Sequence, residues 1–157
     1  MKKLIYLVVG IILGAILTVI LIWNSMPKMM MVVQESKYDF QRTVDELVLG
    51  AYDNGWDVTH EIDIQERLSG FDYEMTKLQI IEICHGEHSF NVLQDDANKY
   101  VAGIMPCRFA VYETRDGKVL ISKMNIGLMS KMFGGVIEEV MSEVSEEEKL
   151  MLERVIK

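Results

Sequence analysis

Sulfur-containing side chains are concentrated around one predicted hairpin of this chain, which has two cysteines and 12 methionines in 157 residues. The Asp116-Gly117 pair predicts a tight turn between two antiparallel strands. The start of the first strand should therefore lie beside the end of the second, and the helix that follows should lie nearby. This placement gathers a thiol, an amide, a guanidinium and several thioethers into one candidate ligand-binding set. Its members are Met105, Cys107, Arg108, Met124, Asn125, Met129 and Met132.

Two kinds of chemistry suit such a set. Soft sulfur ligands can hold Cu(I) or the edge of a haem. Alternatively, a partly exposed Cys107 beside Arg108 can act as a reactive thiol. A structural interpretation competes with both, because methionines at helical spacing usually fill a core and free cysteine is among the most buried residue types. From the sequence alone, the structural interpretation is favoured.

A second cluster, Cys84-His85-x-x-His88, lies where a predicted strand turns into a helix. One thiolate and two imidazoles can ligate Zn or Fe. A closed zinc site needs a fourth ligand, and the sequence offers no second Cys-x-x-Cys pair to supply it. We therefore favour two surface histidines at a helix start, unless a dimer completes the ligand set across its axis.

The two cysteines are also candidates for a disulfide, since the space outside a cytoplasmic membrane can be oxidising. One helix is predicted between the strand that ends at Cys84 and the strand that contains Cys107. A single intervening helix suggests a parallel crossover, which would place the sulfur atoms near opposite ends of the sheet. Because a disulfide requires Cα atoms within about 7 Å, no intrachain bond is expected.

Residues 4–23 contain no charged side chain, and 20 helical residues span roughly 30 Å, the thickness of a bilayer core. A cleaved signal peptide would have a shorter apolar region and a small-x-small cleavage site. We therefore predict a transmembrane anchor over 1–23, a short linker over 24–29 and one domain over 30–157. Lys2 and Lys3 favour a cytoplasmic N-terminus, which places the domain outside a cytoplasmic membrane as part of a single-pass protein.

Charge and motifs narrow the function classes. The formal net charge of −8 disfavours binding to nucleic acid. The sequence shows no Ser/His/Asp order, phosphate-binding glycine loop or zinc-protease motif, so a non-enzymatic role is favoured. Gly10-x-x-x-Gly14 in the anchor can support close packing of two helices, which makes a homodimer a further hypothesis.

The rest of the chain alternates strand and helix patterns. A first strand is predicted over 30–36, and apolar residues at helical spacing follow Asp39. Strand-like alternation covers 56–64, and further strands are predicted over 77–84, 104–113 and 118–124. Gly134-Gly135 should either break a helix or admit a close neighbour, and Ser145 should start a final helix. These elements predict an α+β fold with a mixed five-stranded sheet and helices packed on one face.

Several short segments, taken in their order and spacing, carry a family resemblance. They are Asp57-Val58 with Glu61-Ile62-Asp63, Ile81-Glu82-Ile83-Cys84, Ser89-Phe90-Asn91-Val92-Leu93, Met105-Pro106-Cys107-Arg108, Val111-Tyr112-Glu113, Met124-Asn125-x-Gly127-Leu128-Met129 and Met132-Phe133-Gly134-Gly135. Through them, most of the chain after the anchor resembles the family known as domain of unknown function 302. The resemblance implies a small α+β domain that often pairs as a homodimer. It implies no settled activity, so no catalytic residue is carried over.

Three functional hypotheses follow. The first is a membrane-tethered module outside the cytoplasm that binds a small ligand or soft metal. The second is a thiol-based redox or sulfur-transfer protein that uses Cys107 or Cys84. The third is a structural homodimeric interaction domain.

Overall fold

The computed structural model describes residues 2–157, in which a long N-terminal helix precedes an α+β domain. The strands are β1 (Met31–Glu35), β2 (Asp57–Asp63), β3 (Leu78–Cys84), β4 (Cys107–Glu113) and β5 (Val119–Met124). The helices are α1 (Lys2–Met30), α2 (Phe40–Asp53), α3 (Ile64–Ser69), α4 (Gly86–Leu93), a 3₁₀ helix (Asp96–Ile104), α5 (Ile126–Ser130) and α6 (Gly135–Glu153).

The five strands form one sheet in the order β1-β5-β4-β3-β2, and every neighbouring pair is antiparallel. The predicted α+β class with five strands is confirmed, but the expectation of a mixed sheet was wrong. The error lies in the connection between β3 and β4. This connection contains α4 and also the 3₁₀ helix, and the second segment returns the chain to the end of the sheet that it left.

The core lies between one face of the sheet and the helices α2 and α6. Ile81, Phe109 and Ile121 project from three adjacent strands into this layer and are fully buried. The predicted amphipathic helix is confirmed in α2, where Asp39 accepts a hydrogen bond from the backbone N–H of Arg42 at 2.9 Å. Such a cap satisfies a donor that the first helical turn leaves free.

The helix α1 continues to Met30, and β1 begins at the next residue. Its stretch Val9–Met30 has a mean hydropathy of 2.2, and none of it is buried against the domain. One helix among the described residues is thus long and apolar enough to cross a membrane. Residues 24–29, which we expected to form a linker, are helical. Methionine and lysine, which make up half of this segment, are good helix formers, and the helix continues past the proline at position 27.

The helix α6 is continuous over its 19 residues, so the predicted helix start at Ser145 was wrong. Ser145 is buried inside α6, on the same apolar stripe as Val144. The predicted break at Gly134-Gly135 is confirmed, because α6 begins there. Both glycines have positive φ, 124° and 57°, and no atom lies within 4 Å of an added Cβ. Backbone conformation, and not a close neighbour, therefore accounts for the pair.

Candidate functional site

One end of the sheet, at which β1 begins, gathers both clusters predicted from the sequence. Met31 at the start of β1 pairs with Met124 at the end of β5. Cys107 at the start of β4 pairs with Ile83, and Cys84 ends the same strand. We call this the proximal end of the sheet, because it is the end nearest α1.

The predicted proximity of the start of β4 to the end of β5 is confirmed by the pairing of Phe109 with Lys123. The expectation that Cys84 and Cys107 lie at opposite ends of the sheet was wrong, since β3 and β4 are antiparallel. Both cysteines are free thiols at the proximal end.

A cavity of about 70 Å³ lies under this end of the sheet, between β3, β4, α4 and α6. Most of its lining side chains are apolar. Both predicted clusters contribute sulfur or imidazole groups to the lining, namely Cys84, His85, His88, Met105, Cys107 and Met124. Met141 of α6, which was in neither cluster, adds a further thioether.

The structure divides the seven predicted ligand-binding residues. Met105, Cys107 and Met124 line the cavity, and the other four do not. Arg108 projects from the opposite face of the sheet, where its Nε donates to Glu82 Oε1 at 2.8 Å.

The remaining three have other surroundings. Asn125 caps α5, with its Oδ1 accepting from the backbone N–H of Leu128 at 3.1 Å. Met129 is buried away from the cavity lining, whereas Met132 is 64% exposed. The sequence analysis placed both methionines near Cys107 because they follow the end of β5. The helix α5 is only five residues long, and neither methionine lines the cavity.

A buried ion pair adjoins the Cys107 thiol. Lys123 on β5 and Glu148 on α6 form a salt bridge, with side chains only 7% and 1% exposed. Burial raises the pKa of Cys107 well above its ordinary value, and the nearby Glu148 carboxylate raises it further, while Lys123 opposes this. Burial also raises the pKa of Glu148, against the attraction of Lys123. Cys107 is therefore a protonated thiol at neutral pH.

A polar cluster closes another side of the cavity. The indole N–H of Trp56 donates to Glu147 Oε2 at 2.7 Å, and His88 Nε2 lies 3.1 Å from Glu147 Oε1. His88 Nδ1 lies 3.8 Å from Glu143 Oε2. The imidazole rings of His85 and His88 are 4.3 Å apart between centroids. The carboxylate of Glu147 thus connects α6 with His88 at the start of α4 and with Trp56, the residue before β2.

The predicted metal set of Cys84, His85 and His88 lines the cavity, but each member has a protein partner. Cys84 Sγ lies 3.2 Å from Ser89 Oγ, and His85 Nδ1 accepts from the backbone N–H of His88 at 3.4 Å. Within residues 2–157, no group of three or more His, Cys, Asp or Glu side chains is arranged to hold a metal ion. A site for Zn or Fe is therefore not assembled from these residue types within the described chain.

The sequence analysis did not identify the acidic residues of α6 as neighbours of the candidate site. Glu148 is fully buried, and Glu147 contacts Trp56 and His88. A signal was present for Glu148, because it follows Val140 and Val144 at intervals of four residues on the buried stripe of the helix. No sequence pattern indicated that Lys123 on β5 would be the partner of Glu148.

Comparison with known proteins agrees with this architecture. The crystal structure of an uncharacterised conserved protein of the family DUF302 from Bacillus stearothermophilus superimposes with a TM-score of 0.70 at 19% sequence identity, covering 80% of this chain and 97% of that chain. At this identity, the likeness shows the fold alone. No curated protein matches the chain. The family model described as "Domain of unknown function DUF302" matches residues 32–157, and the chain therefore belongs to the DUF302 family.

Proposed function

We propose that this protein is a membrane-tethered, non-enzymatic module that binds a single soft metal ion, Cu(I), in the cavity at the proximal end of the sheet. One observation carries the proposal: Cys84, Met105, Cys107 and Met124 all line the same cavity. Thiolate and thioether sulfur are the ligands that Cu(I) prefers. The aliphatic side chains around them would keep water from competing for the ion.

The volume of the cavity favours an ion over a larger ligand. Pockets that bind organic molecules usually measure about 300–1,000 Å³, and an engineered cavity that binds benzene measures about 150 Å³. The cavity in this protein is about 70 Å³. A haem therefore does not fit without a large opening of the domain, whereas one metal ion does.

The protonation state of Cys107 makes the proposal pH-dependent. Because burial raises the pKa of this thiol, a metal ion that binds its sulfur must displace the proton. Affinity for Cu(I) should consequently increase with pH over the range below the raised pKa. Each proton released per ion contributes a factor of about ten per pH unit.

The tether in this proposal is α1. Its apolar stretch Val9–Met30 is long enough to span a bilayer. Lys2 and Lys3 precede it, and the excess of positive charge on the cytoplasmic side supports a domain outside the membrane. A C-terminal tag should then be digested by protease added to intact spheroplasts. Protection of the tag until the membrane is lysed would contradict this orientation.

The binding proposal is tested by titration of the full-length protein in detergent, under anaerobic conditions, with Cu(I) and a chromophoric competitor. One ion per chain is expected. Cys107→Ser and Met124→Leu should each lower the affinity, because each removes a sulfur atom from the cavity lining. Met132→Leu is the matched control, since Met132 is exposed and does not line the cavity.

Two results would contradict the proposal. One is a protein that takes no Cu(I) from the competitor. The other is an equal affinity in Cys107→Ser, Met124→Leu and Met132→Leu, which would place any bound ion elsewhere.

The thiol-redox hypothesis receives less support. A reactive thiol needs a lowered pKa, and the buried surroundings of Cys107 beside Glu148 act in the opposite direction. Alkylation rates measured between pH 6 and 9 distinguish the two cases. Rapid alkylation of Cys107 in the folded protein at neutral pH would restore the redox hypothesis.

The homodimer stays a prediction. An added Cβ would find no atom within 4 Å at Gly10 or Gly14, so this face of α1 is free of contacts within the chain. The hydroxyl of Thr18 donates to the carbonyl of Gly14 at 2.9 Å and is satisfied within its own helix. Sedimentation in detergent, compared between the wild type and Gly10→Leu/Gly14→Leu, tests whether this face joins two chains.

A further inference from the structure

We infer that the proximal end of the sheet rests on the bilayer that holds α1, with the 3₁₀ helix and the segment after α5 in contact with lipid. This inference rests on the proposed anchoring by α1. The domain would then contact the lipid directly through a defined surface, in addition to being attached through α1.

The first argument is the junction between α1 and the sheet. No residue separates Met30 at the end of α1 from Met31 at the start of β1. The backbone N–H of Asn125 donates to the carbonyl of Met30 at 2.8 Å, and its side-chain amide donates to the carbonyl of Met29 at 3.0 Å. The helix end is therefore held against the end of β5 and is not a free hinge.

The second argument is length. The helix α1 contains 29 residues, which extend about 44 Å. A bilayer with both of its headgroup regions is about 40–45 Å thick. The helix therefore crosses the bilayer with almost no length to spare, so the proximal end lies at the interface.

The third argument is the surface found there. The 3₁₀ helix leads into β4 and α5 follows β5, so both segments attach to the proximal end. Tyr100, Ile104 and Met132 are exposed. The ring of the half-buried Phe133 lies 6.3 Å from that of Tyr100 between centroids, which joins the two segments into one patch. We call this the proximal patch, and its members are Tyr100, Ile104, Met132 and Phe133.

The chemistry of the proximal patch suits the lipid interface. Tyrosine prefers the headgroup region, where its ring and hydroxyl meet apolar and polar surroundings. The net charge of −8 gives the protein no general attraction to anionic lipid, so the contact must depend on apolar insertion and on the tether. Docking would also cover a groove of about 280 Å³ at the same end, which Met31, Ile104 and Met124 line and which reaches Cys107.

The test compares two exposed tyrosines at opposite ends of the sheet. Tyr100 in the proximal patch is 66% exposed, and Tyr73, in the segment between α3 and β3, is 65% exposed. Each is replaced by tryptophan in the full-length chain carrying Trp23→Phe, and the proteins are placed in zwitterionic nanodiscs with and without lipids brominated near the glycerol. Tyr100→Trp should lose emission with the brominated lipid, whereas Tyr73→Trp should not.

Each outcome decides between defined alternatives. Equal quenching of the two variants, or none in either, overturns docking. Tyr100→Trp that is shielded from aqueous acrylamide but not quenched by the lipid indicates a second copy or another protein, and this also overturns lipid docking. Protein that does not co-elute with nanodiscs removes the anchoring itself, while Cu(I) titration of the same sample tests the metal site independently.

Discussion

The buried ion pair between Lys123 and Glu148 makes the sharpest test of the structure. The perturbation is Glu148→Gln, which keeps the shape of the side chain and removes its charge. Lys123 is only 7% exposed, so the variant leaves an ammonium group buried without a counter-charge. Breaking a buried pair from one side in this way costs about 3–5 kcal/mol.

The magnitude is large for a domain of this size, since total stabilities are about 5–15 kcal/mol. We therefore expect the midpoint of thermal unfolding to fall by about 10 °C or more. The double variant Lys123→Met/Glu148→Leu should behave differently, because it removes both charges and fills the site with apolar atoms. Its free energy of unfolding should lie within about 1 kcal/mol of the wild type or exceed it.

Tryptophan fluorescence during urea unfolding of the detergent-solubilised chain measures these differences. Trp56 is buried in the core and reports on the domain, and Trp23→Phe removes the signal of α1. Glu146→Gln is the matched control, since Glu146 pairs with Lys149 on the exposed side of the same helix. An exposed pair of this kind should contribute at most about 1 kcal/mol.

The pair also predicts a pH dependence. Burial raises the pKa of Glu148, so the folded state binds this proton more tightly than the unfolded state does. The free energy of unfolding should decrease as the pH rises from the ordinary glutamate value of about 4.3 through the raised value in the folded state. Glu148→Gln should remove this contribution.

Two results would refute the reasoning. If Glu148→Gln costs no more than Glu146→Gln, then Glu148 is not a buried partner of Lys123. If the double variant Lys123→Met/Glu148→Leu is as unstable as Glu148→Gln, then the cost arises from packing and not from an unpaired charge.

Three further predictions concern packing, helix capping and thiol accessibility. Gly127→Ala should lower the free energy of unfolding by about 1–3 kcal/mol, because its Cβ would lie 2.7 Å from Ser145 Oγ; urea unfolding should show partial recovery in Gly127→Ala/Ser145→Ala, and no recovery would contradict the assigned contact. Asp39→Ala should cost about 1 kcal/mol in the same assay, since it removes the cap of α2, and an unchanged midpoint would argue against that cap. Cys107 should react with maleimide slowly in the folded protein and quickly in denaturant, as followed by mass spectrometry, and equal rates would show that the pKa of this thiol is not raised by folding.

The local elements were largely readable from residue spacing. Phe40, Val44 and Leu47 lie on one side of α2 because a helix repeats every 3.6 residues. Asp116-Gly117 specified the β4–β5 hairpin, since a tight turn needs a residue that accepts positive φ, and Gly117 has φ of 82°. The length of the apolar N-terminal segment and the order of the family motifs were also properties of the chain alone.

The arrangement of the site was decided by tertiary structure. Whether β3 and β4 run parallel or antiparallel depends on the path of residues 85–106, which local periodicity does not specify. That path determines whether Cys84 and Cys107 lie at opposite ends of the sheet or, as the structure shows, at the same end. The pairing of Lys123 with Glu148 likewise requires α6 to pack across β5. The position of Glu148 on the apolar stripe of α6 indicates that it is buried. Its partner cannot be read from the sequence, because the pairing depends on packing between segments that are far apart in the chain.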